Sequence, residues 1–264
     1  MDFAGKDKAS YVKETFNTIA KRYDFMNSVM TWGMDKRWRR RVVECVGAGE
    51  GTHMLDVCCG TGQLSLALAR AVGPRGKVTG LDFSENMLSK AREQLRCVSW
   101  PQRVEFLRGD ALALPFADES FDGATVGWGL RNLPDLRLGI REMARVVKPG
   151  AKVVSLDMAK PDLPVFKQVY WFYFEKVVPL LGSIFTGKKS AYRYLHDSAV
   201  QFPAQRDLSA IFAECGLTDT RYRNLAGGAV AIVEGTKPIR TNVPDAKKAG
   251  TKHQNPLDTT GKQE

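Results

Sequence analysis

Three aspartates and a pair of glycines are spaced as a ligand-binding set. The string Asp56-Val-Cys-Cys-Gly-Thr-Gly62, followed by Gln63 and Leu64, lies between a stretch that reads as strand and one that reads as helix. Gly60 and Gly62 allow the backbone to turn sharply and approach a ligand with no side chain in the way. The amides at the helix start then face an anionic or polar group. Asp82 follows Gly62 by twenty positions and closes the next strand, where a carboxylate can take both hydroxyls of a ribose. Asp110 ends a third strand, and with Ala111 it is placed to meet an adenine edge. Asp56 sits within the first strand, where it can hydrogen-bond loop amides or reach a ligand's amino group. An adenosine carrying a short polar amino-acid tail fits this set. A dinucleotide fits it less well, because the third glycine of that fingerprint would fall at Ser65. Each aspartate alone would read as a cap or turn residue; their joint arrival at strand ends argues for a site.

The elements that must position these residues alternate. Strands are expected at 53–59, 77–83, 104–107, 121–128 and 152–157, with helices at 64–72, from the Ser84 cap to about 95, and near 138–147. Gly73-Pro74 stops the first of these helices, and Lys148-Pro149-Gly150 is expected to be a turn. Strands separated by helices of this length imply right-handed crossovers and a mostly parallel sheet, covered by helices on both faces. Before this core, residues 10–46 read as helical, with Ser10 as a cap, Phe16, Ile19 and Tyr23 at helical spacing, and a break at Gly33. After it, 162–200 is aromatic and helical, 200–217 reads as one helix, and 222–234 gives one or two closing strands. The organisation is thus a helical cap (1–50), a ligand-binding core (51–160), a helical insertion (161–200), closing elements (201–236) and a polar tail (237–264) with too little to bury to fold.

Composition narrows the class further. The 264 residues carry 39 Lys plus Arg against 29 Asp plus Glu, a net charge of +10, which suits an anionic partner such as nucleic acid or an acidic membrane surface. Lys and Arg cluster at 36–41, KRWRRR. A helix with that face could touch phosphates, or be a solvated basic face with Trp38 turned inward. Five cysteines without a CxxC pair suggest neither a disulfide framework nor a zinc site, so no metal and a reducing, intracellular compartment are expected. The start MDFAGKDKAS lacks the apolar run of a secretory signal. The most apolar stretch, 163–185, is interrupted by Lys167, Glu175, Lys176 and two prolines, against a transmembrane helix.

Several longer strings resemble one family. Asp56–Gly62, Gly80-Leu-Asp-Phe-Ser84, Gly109-Asp-Ala-Leu-Ala-Leu-Pro-Phe116, Gly129-Leu-Arg-Asn132, Glu142-Met-Ala-Arg145, Lys148-Pro-Gly150 and Asn224-Leu-Ala-Gly-Gly228 are similar to the quinone-ring C-methyltransferases of menaquinone and ubiquinone biosynthesis. So is the early run Phe16…Ala20-x-x-Tyr23-Asp24…Asn27 with Trp38-Arg39. The Cys58-Cys59 pair is like the menaquinone branch. The resemblance spans about residues 10–235. It implies the class I S-adenosylmethionine-dependent fold, a doubly wound α/β domain with a mostly parallel seven-stranded sheet. It also implies S-adenosylmethionine contacts at Thr61, Asp82, Asp110 and Ala111, and a demethylated menaquinol as methyl acceptor. The chain departs at Gln63, where relatives often carry an acid, and at Gly127-Trp128, where they often carry Ser-Phe or Ala-Phe. Gly127 is expected on the cofactor side but offers no hydroxyl.

Methylating a ring carbon requires that carbon to be nucleophilic, which a quinol supplies when a ring hydroxyl loses its proton. Arg131 is the candidate to stabilise the phenolate or hold a proton-accepting water, since a guanidinium donates but does not deprotonate. Asn132 could orient that water or a quinone oxygen; as an alternative, both are loop anchors. Tyr23 and Asp24 are expected to close over ring or cofactor, or simply to pack a helix. His196 reads as bonding a helix start, and the base itself stays unassigned. The aromatics of 165–185 suit an isoprenoid channel, a surface resting on the bilayer, or an ordinary core helix. Two further functions stay open: an RNA methyltransferase, although no stacking platform or RNA module is recognisable, and a non-catalytic adenosine- or lipid-binding module.

Overall fold

A computed structural model describes residues 23–162, 164–177 and 189–239. The expected helix over 10–22, most of the polar tail and part of the aromatic insertion lie outside the described residues. Two N-terminal helices, α1 (Tyr23–Met30) and α2 (Asp35–Val46), flank a turn at residues 31–34. Then come β1 (His53–Val57), α3 (Gln63–Ala71), β2 (Lys77–Asp82), α4 (Glu85–Leu95), β3 (Val104–Arg108), β4 (Phe121–Gly127), α5 (Leu136–Val146) and β5 (Val147–Met158). The insertion supplies α6 (Pro164–Phe172), a π-turn (Tyr173–Val177) and α7 (Lys189–Gln201), and the chain closes with α8 (Gln205–Glu214), β6 (Thr218–Leu225) and β7 (Val230–Thr236).

The sheet has seven strands in the order β3-β2-β1-β4-β5-β7-β6. Strands β1 to β5 pair in parallel, while β7 runs antiparallel to both its neighbours. Their inward residues are continuous apolar runs such as Met54-Leu55, because both faces are covered. One face buries Leu55, Phe121, Ile140, Met143 and Phe212, with α5 and α8 across it. The other buries Trp38, Val42, Met54, Leu68, Leu88 and Phe106, with α2, α3 and α4. The doubly wound reading of the sequence is met.

Two local expectations are corrected. The single helix over 200–217 is two, broken around Pro203, which has no amide to donate and pushes the preceding residue out of the helical region. Lys148-Pro149-Gly150 is not a free turn but opens β5. The Gly150 amide donates to the Lys237 carbonyl and the Lys237 amide to the Ala151 carbonyl, both at 2.8 Å, extending the ladder past β7. The basic run 36–41 lies on α2 with its tryptophan inward and most of its cations outward. Trp38 is buried, Asp35 takes Arg39 at 2.5 Å, and Lys36, Arg37, Arg40 and Arg41 face solvent.

Sheet order reverses between β1 and β4, and their loops leave towards opposite faces. Such a switch point opens a crevice beyond the strand ends, and the candidate site lies there.

Candidate active site

A cavity of about 540 Å³ occupies that crevice, walled by the carboxyl ends of β1, β2, β3 and β4. Asp82 forms its centre. Its Oδ2 accepts from the Gly60 amide and its Oδ1 from the Ser84 amide, each at 2.9 Å. Burial raises its carboxyl, against the pull of those backbone donors. The amides fix the carboxylate plane, and each oxygen keeps lone-pair capacity for a ligand. Ser84 also caps α4, accepting from the Met87 amide at 3.3 Å, so one short loop both starts a helix and aims an acid. Asp110 Oδ1 accepts from the Leu112 amide at 2.9 Å, and Asp110 and buried Ala111 both line the cavity. Gly60 and Gly127 line it as well. The wall also includes Cys58, Phe83, Met87, Arg108, Leu112, Trp128, Leu133 and Pro134, none of which was assigned to the site from the sequence. Phe83, Leu112, Trp128 and Leu133 each directly follow a residue that was, and that adjacency was the available signal.

Three expected cofactor residues support the loop from behind and do not line the cavity. Asp56 is fully buried, accepting from the Ser65 hydroxyl at 2.6 Å and the Thr125 hydroxyl at 3.0 Å. Burial pushes its carboxyl up to about 7, opposed by those two hydroxyls. Its bonds tie β1 to α3 and β4. Thr61 donates to Asp24 Oδ1 at 2.6 Å. Gly62 has φ +81°, and a Cβ there would come within 2.6 Å of the Phe106 ring, so its role is packing and turning.

Asp24, expected over the ring or cofactor, instead fastens α1 to this loop. Beyond Thr61, its Oδ2 accepts from Gln94 Nε2 at 2.8 Å and from Gln63 Nε2 at 3.4 Å. That accounts for the departure at position 63: an acid there would set a like charge against Asp24, whereas the amide donates. Tyr23 is the first residue of α1, and its side chain lies outside the described residues.

The Gly129–Asn132 string forms the far wall. Trp128 has φ +62°, its amide donates to the Leu156 carbonyl at 2.8 Å, and its indole lies 6.0 Å from that of Trp38. Gly129 is required beside it, because a Cβ would come within 2.6 Å of Cys58 Cβ. Asn132 lines the cavity, its Nδ2 donating to the Trp128 carbonyl at 3.0 Å. Arg131 is not on that wall. It is buried, pairs with Asp157 at 2.6 Å, and lies over the Trp128 ring at 5.9 Å. It lines a second cavity of about 160 Å³, between this string and α7, which shares Leu133 and Pro134 with the first. The loop-anchor alternative thus captures part of its behaviour, although its anchor is a carboxylate. His196 meets its neighbour Asp197 at 3.0 Å and the edge of Trp171, and lines neither cavity. No group of three His, Cys, Asp or Glu among the described residues is placed to hold a metal ion.

The residues fit an adenosine-containing sulfonium donor. Asp82 faces the cavity with acceptor capacity for ribose hydroxyls, Asp110 and Ala111 offer a polar and an apolar contact for adenine, and no basic cluster for a pyrophosphate is present on the wall beyond Arg108. Comparison with known proteins agrees. Solved structures with the same fold include an S-adenosylmethionine-dependent methyltransferase from Aquifex aeolicus, with a TM-score of 0.56, 20% identity and coverage of 75% of this chain and 88% of that one. A possible histamine N-methyltransferase from Thermotoga maritima gives a TM-score of 0.61, 19% identity and coverage of 85% and 99%. Among sequence relatives, a demethylmenaquinone methyltransferase of Desulfitobacterium hafniense is 65% identical over 238 residues, covering 90% of this chain and 94% of that protein. The enzyme of the same name from Staphylococcus aureus is 44% identical over 232 residues, covering 88% and 95%. The model of the ubiE/COQ5 methyltransferase family matches residues 4–237, and the chain belongs to that family.

Proposed function

We propose that this protein transfers a methyl group from S-adenosylmethionine to the ring carbon of a demethylmenaquinol, giving menaquinol. The carrying observation is the adjacency of two cavities. The larger is lined by Asp82, Asp110 and Asn132, the smaller by Arg131, and Leu133 and Pro134 line both. A ring at that junction stands against the donor on one side and between the two candidate catalytic side chains on the other.

The bound donor supplies an electrophilic methyl group, and the protein's share is placement. Asp82 takes the ribose, Asp110 and Ala111 the adenine, and Gly60 and Gly127 leave room for the rest. Thr61, Gly62 and Asp56 hold the loop that carries Gly60. Asn132 orients a ring oxygen or a water. Arg131 stays charged at neutral pH and stabilises the phenolate as its proton leaves. Asp24, through Thr61 and Gln63, keeps α1, and with it Tyr23, against the donor loop.

The acceptor's long apolar tail belongs to the membrane, and the protein docks there peripherally from the cytoplasm. Trp32 is 83% exposed in the turn before α2, beside the exposed Lys36, Arg37 and Arg40. Val165 and Phe172 project from α6, and the Tyr173 hydroxyl donates to the Met30 carbonyl at 3.3 Å, setting the insertion beside that turn. Aromatic tips flanked by cations suit an anionic interface. No helix among the described residues is long and apolar enough to cross a membrane.

Incubation with labelled methyl donor and either reduced demethylmenaquinone or bulk RNA tests the reading. Label in the quinone product supports it; label in RNA alone, or in neither, rejects it. Cosedimentation with anionic liposomes should be salt-sensitive, and equal recovery in the supernatant with and without liposomes at low salt would remove the docking.

A further inference from the structure

The insertion reaches the methyl-transfer site through one hydrogen bond. Tyr194, in α7, is buried at 4% exposure, and its hydroxyl donates to Asn132 Oδ1 at 2.9 Å across 62 residues of chain. Asn132 then donates from Nδ2 to the Trp128 carbonyl at 3.0 Å. Both ends of the Asn132 amide are therefore assigned. The oxygen points to the insertion and the nitrogen to the strained Trp128 segment, whose positive φ an L residue adopts only when its surroundings hold it. A primary amide has two N–H donors and an oxygen with two lone pairs. One donor and one lone pair are engaged by these bonds, and Asn132 lines the larger cavity. The Trp128 carbonyl, which only accepts, sets which end of the amide is nitrogen; without the hydroxyl, Oδ1 loses its tie to α7 and the side chain is held from one end.

We propose that Tyr194 is a positioning residue for methyl transfer: its hydroxyl holds the Asn132 amide, oriented by the Trp128 carbonyl, in place against the acceptor ring. The proposal rests on the reading of Asn132 given under the proposed function. Tyr194 also lines the smaller cavity beside Arg131, so α7 joins the cofactor wall and the acceptor side in one side chain. It is not among the residues lining the larger cavity, and its effect belongs in turnover of the bound complex.

Tyr194→Phe removes one oxygen and keeps the ring, and a double-mutant cycle with Asn132→Ala tests the link. The assay uses S-adenosylmethionine and a reduced short-chain demethylmenaquinone, with donor affinity measured separately by calorimetry. For Tyr194→Phe, kcat is expected to fall about tenfold, the scale of one lost hydrogen bond that matters in the transition state. Donor Kd should stay within about twofold, since no donor contact changes. In the Asn132→Ala background, adding Tyr194→Phe should cost little more, because the group it positions is gone. Full additivity of the two losses, or an unchanged kcat in Tyr194→Phe, overturns the proposal. A rise in donor Kd or a fall in Tm that accounts for the whole loss of rate also overturns it, as the mark of a purely structural role. Absence of quinol methylation in the wild type instead rejects the underlying assignment of Asn132, so the two failures read differently.

Discussion

The donor wall and the acceptor wall of this site are held together by different kinds of contact. On the donor side, carboxylates at strand ends accept from backbone amides close by: Asp82 from Gly60 and Ser84, and Asp110 from Leu112. On the acceptor side, side chains reach side chains across long stretches of chain, Arg131 to Asp157 and Asn132 to Tyr194; on the donor side such pairs, Asp24 to Thr61 and Asp56 to Ser65 and Thr125, brace the loop behind the wall. Backbone amides are available in any sequence that forms the loop, so the donor wall depends on few residue identities. The acceptor wall depends on pairs, and it fails when either partner changes. Donor-side substitutions should therefore act on cofactor affinity, and acceptor-side ones on turnover and folding.

The largest effect expected from this contrast is at Arg131. Arg131→Ala leaves Asp157 charged and buried, with Oδ2 already lacking a hydrogen-bond partner. Loss of about 3–5 kcal/mol in urea unfolding is expected, as for other broken buried pairs, with turnover lowered and donor affinity nearly kept. Combining Arg131→Met with Asp157→Leu should restore most of the stability and none of the turnover. Unchanged turnover in the single variant would remove Arg131 from the mechanism. Next comes Asp82→Ala, which loses charge-assisted bonds to two ribose hydroxyls, so donor Kd should rise about 100-fold in calorimetry. A change in turnover at saturating donor, with Kd intact, would break the division of labour between the walls.

Asp56 provides a pH test of the buried support beneath the donor loop. Its carboxyl stands at about 7 in the folded chain because of burial, against about 3.9 when unfolded. Between those values the unfolded chain has released a proton that the folded chain still holds, so this group's contribution to stability is full below the unfolded value and declines as pH rises to about 7. Asp56→Asn abolishes that decline. Its stability relative to wild type should improve by about 2.5 kcal/mol between pH 5 and pH 8, read from urea midpoints at the two pH values. A pH-independent difference would mean that Ser65 and Thr125 keep the carboxylate ionised. The smallest effect is Gly129→Ala, where the added methyl meets Cys58 Cβ. A cost of about 2 kcal/mol is expected from overpacking, and Cys58→Gly in the same chain, which removes that Cβ at a positive φ, should relieve part of it. Absence of relief would show that Gly129 is needed for some other reason.

Legibility in the sequence followed the same division. The strands of the donor half were readable to within a residue or two, because apolar runs between glycine and proline stops report burial on both faces. That Asp82 and Asp110 would stand at strand ends was readable because a parallel strand's end has one place to go, and both line the cavity. For Asp56 the sequence left two roles open, a local hydrogen bond or a ligand contact, and the fold shows it bonded to the hydroxyls of Ser65 and Thr125. Gln63 was noticed as a departure, but its cause, the facing carboxylate of Asp24, required the folded chain. Tyr194 could not be found at all, since nothing near it in sequence hints that its partner stands 62 residues earlier. The basic run 36–41 did suggest an inward Trp38, but that Arg39 pairs with Asp35 while four of its cations stay in water took the folded chain.

Alone, the sequence determined that strands and helices alternate, that a glycine turn follows the first strand, and that acids stand at the ends of the next two. Those properties arise from local periodicity and from residues whose backbone preferences act over a few positions. Only the tertiary structure decided which acids face the cavity and which brace it, that Arg131 is paired behind the wall, and that α1 and α7 are fastened to it. The reason is physical: a side chain's hydrogen-bond partner is set by what the fold brings within about 3 Å, and separation along the chain does not limit that choice.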